Sequence, residues 1–274
     1  MVRYWTGFGP GFLGDLAAFY SACLACAVPT DVCVDGHGRP VVRCQGEVVV
    51  SAHRFLAGAA PAVELMLTSA GVRGLARALS ALHRLPAAAV PPSVAATNAL
   101  AFTTSPAVLD ELGAGIGTVR APWAPAAAAD LAELRAMIED GRFAALPHAA
   151  VHGDLRTGNL ALTGDTVTLY DFEYVSLLPR IVDVTGPVFL AVAERHGRVT
   201  ATEWLASVVR AYGEVADRPL TSEERRLLPR FADFNHLFHG VGLYLTYLAD
   251  PDTPAPRVRD KARRVAAYYL ARRR

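Results

Sequence analysis

Residues 151–160 read "VHGDLRTGNL" and residues 167–173 read "VTLYDFE". The first stretch sets a histidine, an aspartate, an arginine and an asparagine among apolar residues. The second closes an alternating apolar run on two carboxylates, Asp171 and Glu173. Spacing of this kind predicts a strand, a polar loop and a second strand. Asp154 and Asn159 are five residues apart across that loop, so both can turn into one cleft. Asp171 arrives at the end of the following strand. Phosphoryl transfer needs little covalent help from protein: an aligned hydroxyl, a group to receive its proton, and cations on the phosphate oxygens. A carboxylate at 154 can accept the proton. The amide oxygen of Asn159 and the carboxylate of Asp171 are hard ligands suited to Mg2+.

Composition narrows the alternatives. A chain of 274 residues fits one large domain or two lobes. With 27 basic against 26 acidic residues, nothing points to nucleic acid or an anionic membrane. No run reads as membrane-spanning, and Asp15 interrupts the stretch where a signal peptide would be apolar, so the expected location is cytoplasmic. All four cysteines fall between Cys23 and Cys44. Zinc is one reading of them, but the later pair lacks ribbon spacing, and buried thiols in an apolar helix are favoured.

Along the chain, "VRYWT" reads as a strand and "GDLAAFYSACLACAV" as a buried helix ended by Pro29. Two β-rich runs follow, "DVCVDG" and "PVVRCQGEVVVSAHRF", the second turning at Gln45-Gly46. Helical patterns dominate from "GVRGLARALSALHRL" onward, with an unclear Ala/Pro-rich connection over 86–109. "TSEERRLLPRFADFNHLFHGVGLYLTYLA" reads as one long helix. The plan is α+β, with a small β-containing N-terminal part and a larger helical part carrying the motif hairpin.

"HGDLRTGN" followed by "DFE" resembles the catalytic and metal-binding loops of the aminoglycoside phosphotransferase and choline kinase-like family, relatives of the protein kinases. "ALHRLP" and "EDGRFAALPHAAVHGD" are also similar to family stretches, and the match covers roughly residues 40–190. The resemblance implies a two-lobed protein kinase-like fold with a truncated N-lobe over 1–56 and a catalytic, substrate-binding lobe over 57–274. It implies Asp154 as catalytic base, His152 as the residue that structures the loop, Asn159 and Asp171 as Mg2+ ligands, and Glu173 as an acid that assists the metal or holds the loop. Adenine would meet the backbone near Ser51, His53 and Arg54. The cofactors are then ATP or another nucleoside triphosphate and Mg2+. The acceptor implied is a small-molecule hydroxyl, of the antibiotic resistance or tailoring type that suits the family, with a peptide Ser or Thr hydroxyl as a lesser alternative. A catalytically silent kinase-like module for binding or assembly is the alternative of a different class.

What holds the phosphates is less plain, because Lys261 is the only lysine and lies far from the motif. "GPGFLG" matches a G-x-G-x-x-G pattern at Gly9, Gly11 and Gly14, yet a helix rather than a strand follows; these glycines read as a turn. Aligning "MVRYWTG" with the third kinase strand puts Arg3 where the lysine belongs and makes Asp15 the available orienting acid. The first two strands and the glycine-rich loop would then lie before Met1, being lost, replaced by a partner protein, or cut off by a misplaced start. Arg156 is the second candidate phosphate cation; its bland alternative is a loop arginine pairing with Glu173 or another surface acid. For the acceptor, Asp233 and His236 share a helix face with His239 nearby, although such histidines commonly just pack. The many arginines of the C-terminal half argue against an acid-rich cleft.

Overall fold

The computed structural model describes residues 2–5, 12–45, 48–53, 63–90 and 105–272. β1 (Val2–Trp5), β2 (Val42–Gln45) and β3 (Val48–Ala52) form an antiparallel sheet in the order β1-β3-β2. The β2–β3 hairpin stands where the sequence places it, because β-branched valines favour extended backbone. The run "DVCVDG" forms no full strand. Thr30 bridges Leu169, Val32 bridges His53 and Val34 bridges Pro40, so each residue is drawn to a different neighbour.

α1 (Phe12–Ala25) packs Leu16, Phe19, Tyr20 and Cys23 inward at helical spacing. Cys23, Cys26 and Cys33 are free thiols, and among the described residues no His, Cys, Asp and Glu side chains group as metal ligands. Burial pushes the Cys23 thiol far up, as expected of a small hydrophobe.

The larger part opens with α2 (Val63–Met66) and α3 (Ser69–Leu82). The Thr68 hydroxyl caps α3 by accepting from the Gly71 N–H at 3.1 Å. α3 buries Val72, Leu75, Leu79 and Leu82 on one face, which sets it against the motif hairpin and a later helix. Gly74 makes the close approach feasible, since a Cβ there would sit 2.8 Å from the Asp165 carbonyl oxygen. α4 (Pro106–Thr118) begins within the stretch that reads as a connection, its proline in the first turn where a missing N–H costs nothing. α5 (Ala124–Glu139) follows.

β4 (His148–Val151) enters the polar loop, and β5 (Leu160–Thr163) with β6 (Thr166–Leu169) forms the hairpin beyond it. β4 pairs with β7 (Ser176–Pro179), whose Ser-Leu-Leu-Pro sequence has no β-branched residue to mark it as a strand. The chain then runs through α6 (Ile181–Val184), α7 (Pro187–His196), α8 (Arg198–Val215) and α9 (Ser222–His236). A π-turn, Leu237–Gly242, separates α9 from α10 (Leu243–Ala249), and α11 (Ala255–Arg272) ends the described chain. The helix read as continuous is therefore reshaped in its middle. Gly240 sits in the π-turn where a Cβ would come within 2.5 Å of the His236 ring.

Three arginines in this half are spent on internal ion pairs. Arg180 forks onto buried Glu224 at 2.7 and 2.8 Å, while Glu224 also closes a capping box with Thr221. Arg230 reaches Asp233 at 2.7 Å and Asp130 at 3.3 Å, and Arg272 reaches Asp130 at 3.0 Å. One ionic network thus ties α5, α9 and α11 together. The two-part α+β plan holds.

Candidate active site

The polar loop hangs from one carboxylate that the sequence reading missed. Asp183, on α6 and nearly inaccessible, accepts from the His152 N–H at 2.7 Å through Oδ2 and from the Gly153 N–H at 3.1 Å through Oδ1. Its signal was available: a lone acid inside the apolar run "RIVDVTGPVFL". Gly153 has φ +80°, and a Cβ on it would stand 2.3 Å from the Tyr174 carbonyl oxygen, so both conformation and space require glycine here.

His152 is wholly buried and uses both ring nitrogens. Nε2–H donates to the Tyr170 carbonyl at 3.0 Å, and Nδ1 accepts from the Asp154 N–H at 3.3 Å. Its ring lies 4.9 Å from that of Phe172, which meets Phe19 at 5.3 Å and Tyr20 at 6.3 Å; Tyr20 in turn meets His53 at 5.8 Å. A stack of buried rings therefore joins the loop to α1 and to the end of β3.

Asp154 is almost buried and shows one edge to the cleft. The Asn159 side-chain amide donates to both the Asp154 carbonyl and its Oδ2, each at 2.9 Å, and Arg156 Nε approaches the same Oδ2 at 3.0 Å. Both contacts fall on Oδ2, which leaves Oδ1 to receive a proton. Because the Asn159 nitrogen points at Asp154, its Oδ1 is the end of the amide turned to other duties. Arg156 is exposed over most of its length, and its ion-pair partner is Asp154.

Asp171 takes φ +69° and ψ +60°, a left-handed conformation that a short polar residue tolerates and that ends the strand abruptly. The hairpin carries it to the loop: the Tyr170 N–H donates to the Asn159 carbonyl at 3.1 Å. Burial first, then the charges of Asp31 and Asp171, raise the Tyr170 pKa, against the pull of Arg156. Mg2+ commonly takes one or two protein carboxylates and fills its octahedron with phosphate oxygens and water. Asp171 with the Asn159 amide oxygen fits that pattern.

At the sheet end, the Arg3 backbone pairs with Ser51 on β3. The Arg3 and Glu173 side chains and all of Arg54 lie outside the described residues. Ser51 and His53 are buried and bonded to each other, Ser51 Oγ to His53 Nε2 at 2.7 Å, with His53 Nδ1 at 3.0 Å from Asp31. Their side chains face this buried chain, so any contact with a base would fall to backbone.

The acceptor expectation needs correcting. Asp233 is buried among Arg230, Arg272 and the Tyr268 hydroxyl, which donates to it at 2.9 Å. His236 is buried with its ring stacked 3.8 Å from that of Tyr268. Neither lines the cleft; the π-turn rotates His239 there instead. His239 shares a cavity of about 500 Å³ with Asp154 and Arg156. Burial holds its pKa down at about 4, against the opposing pull of the Asp154 charge. The lone lysine serves this turn: Lys261 Nζ donates to the His239 carbonyl at 2.5 Å. A larger cavity of about 770 Å³, lined by His83, Arg180 and Tyr212 among others, includes none of the motif residues.

Comparison with known proteins identifies the family and the fold. Residues 12–228 match the model of the phosphotransferase enzyme family, and the chain belongs to that family. An aminoglycoside phosphotransferase from Alicyclobacillus acidocaldarius shares the fold at a TM-score of 0.65, 15% identical, covering 99% of this chain and 82% of its own. A choline/ethanolamine kinase family protein from Mesorhizobium loti scores 0.62 at 18% identity, covering 98% and 86%. An amicoumacin kinase, in complex with AMP-PNP and Ca2+, scores 0.65 at 12% identity, covering 98% and 80%. None of the curated proteins matches the chain in sequence. The fold is therefore kinase-like, and the chain is of the phosphotransferase class.

Proposed function

We propose that this protein transfers the γ-phosphoryl group of ATP, with Mg2+, to a hydroxyl of a small molecule. The observation that carries the reading is the loop itself: Asp154 is fixed by Asn159 and Arg156 on one oxygen and shows the other to a cavity. In the step, the acceptor oxygen bonds to the γ-phosphorus and its proton passes to Asp154 Oδ1. The bond from that phosphorus to the β,γ-bridging oxygen breaks, and ADP leaves. Bound Mg2+ would neutralise charge on the phosphate oxygens. Asn159 and Asp171 are the residues to hold it, and His152 keeps the loop in register. Arg156 lies beside the reacting carboxylate, within reach of a transferring phosphate. The base would lie against backbone at residues 51–54, in the joint between an N-terminal lobe ending near residue 56 and the rest. AMP-PNP bound to the amicoumacin kinase supports a triphosphate donor.

The test is calorimetric binding of ATP with and without Mg2+, followed by a screen of hydroxyl acceptors for phosphate incorporation. Magnesium-coupled ATP binding with an acceptor-dependent product supports the reading. Binding without any transfer in that screen would favour the silent module.

A further inference from the structure

The cavity beside Asp154 says something about the acceptor, on the premise that Asp154 is the base. Its walls are Val108, Leu112, Leu243 and Leu245 with the rings of Tyr174 and Phe238. The lining carboxylates among the described residues are Asp154 and Glu111, and Asp154 already faces the Arg156 guanidinium. Asp110, the other acid of α4, pairs with Arg135 at 2.7 Å, and Asp130 and Asp233 are buried within the arginine network. The segments 6–11, 54–62 and 91–104 contain no Asp or Glu, and the acids with undescribed side chains are Glu47 and Glu173. His239 is neutral at physiological pH because burial holds its pKa at about 4, so it adds no charge of its own.

Charge and shape then select a ligand class. A compound bearing several ammonium groups would desolvate them against leucine and valine side chains with one exposed acid among the described lining residues, Glu111, to answer them. A carbon skeleton of drug-like size fills about 500 Å³ and gains from leaving water. We propose that the acceptor is a neutral, predominantly apolar alcohol, its hydroxyl at Asp154 and its skeleton on the Val108, Leu112, Leu243 and Leu245 wall. His239 and Thr246 supply the polar contacts that orient it.

The experiment measures binding in the presence of ADP and Mg2+, and separately phosphate incorporation from ATP. One probe set is neutral: a benzylic alcohol, a terpenoid alcohol and a macrolactone polyol. The other is cationic: ethanolamine, choline and a multiply aminated aminocyclitol glycoside. Neutral probes should bind at least about tenfold more tightly than cationic ones. Leu243→Asp, a change at a position already 41% exposed, should weaken neutral probes by roughly tenfold. Tighter binding of cations, failure of every neutral probe, or indifference to Leu243→Asp overturns the proposal. Neutral probes that bind but receive no phosphate would leave the ligand class standing and sink the phosphotransfer reading. A cationic glycoside phosphorylated in preference would do the reverse.

Discussion

At the scale of single residues, two aspartates make opposite demands on experiment. Asp154 shows an edge to solvent and supports no backbone outside its own loop, so Asp154→Asn should leave the unfolding midpoint nearly unchanged. Transfer should fall by about 10²- to 10⁴-fold, the usual worth of a positioned base. Equal turnover by wild type and variant on any accepted substrate would remove Asp154 from the mechanism. Asp183 touches no cleft, yet Asp183→Ala strands the buried N–H groups of His152 and Gly153. Each orphaned donor costs about 1–3 kcal/mol, so denaturant unfolding should show a loss of about 2–6 kcal/mol. Asp171 is the metal test. Asp171→Asn keeps a residue suited to the left-handed backbone while removing the charge, so ATP binding should lose most of its Mg2+ dependence.

At the scale of elements, the π-turn between α9 and α10 decides which histidine sees the cleft. An uninterrupted α-helix advances about 100° per residue, and the extra residue of the π-turn shifts the phase of all that follows. Two forces hold this turn: Gly240 admits the His236 ring, and Lys261 donates to the His239 carbonyl. Lys261→Met should cost about 1–3 kcal/mol of stability. It should also raise KM for the acceptor while leaving KM for ATP alone, a split that loss of folding would not produce. The same turn sets an acid limit. The folded pKa of His239 is about 4, below the ordinary value of 6.5, and that of His236 is lowered too, burial being the main cause for both. Between those values the unfolded chain binds the protons and the folded chain does not. Stability is therefore full above pH 6.5 and falls as pH drops towards 4, by up to about 3 kcal/mol for His239. His239→Gln should flatten part of that slope in urea titrations at pH 4.5 and 7.

At the scale of the whole molecule, the question is what meets the phosphates when the one lysine is committed to His239. Within this chain the candidates are Arg156 in the loop and Arg3 on β1, opposite Ser51 on β3. A charge-assisted contact is worth about 1.5–3 kcal/mol, or roughly ten- to a hundredfold in affinity. Arg3→Ala should accordingly weaken ATP by that factor and leave adenosine binding unchanged, since adenosine has no phosphates. Equal effects on both would return Arg3 to a purely structural place. Tight ATP binding that survives the loss of both arginines would put the phosphates somewhere else.

Much of this was open to a reader of the sequence, and the division has a physical basis. The strand–loop–strand motif, the β2–β3 hairpin, the α1 helix and the two-part plan depend on local periodicity and turn chemistry, which neighbouring residues write directly. The choice of Asp154, Asn159 and Asp171 as a group also came from spacing alone. β7 escaped because Ser-Leu-Leu-Pro has neither alternation nor β-branched residues, and α4 because three glycines interrupt its helical pattern. Asp183, the arginine network and the role of Lys261 were decided by tertiary structure. Their partners lie 30 residues from Asp183, 100 from Arg230 and 22 from Lys261, so no local window contains both ends. The exchange of His236 for His239 was decided there too. Helical phase at residue 239 depends on a backbone bulge that packing against α11 stabilises, and an ideal helix drawn from the sequence has no place for it.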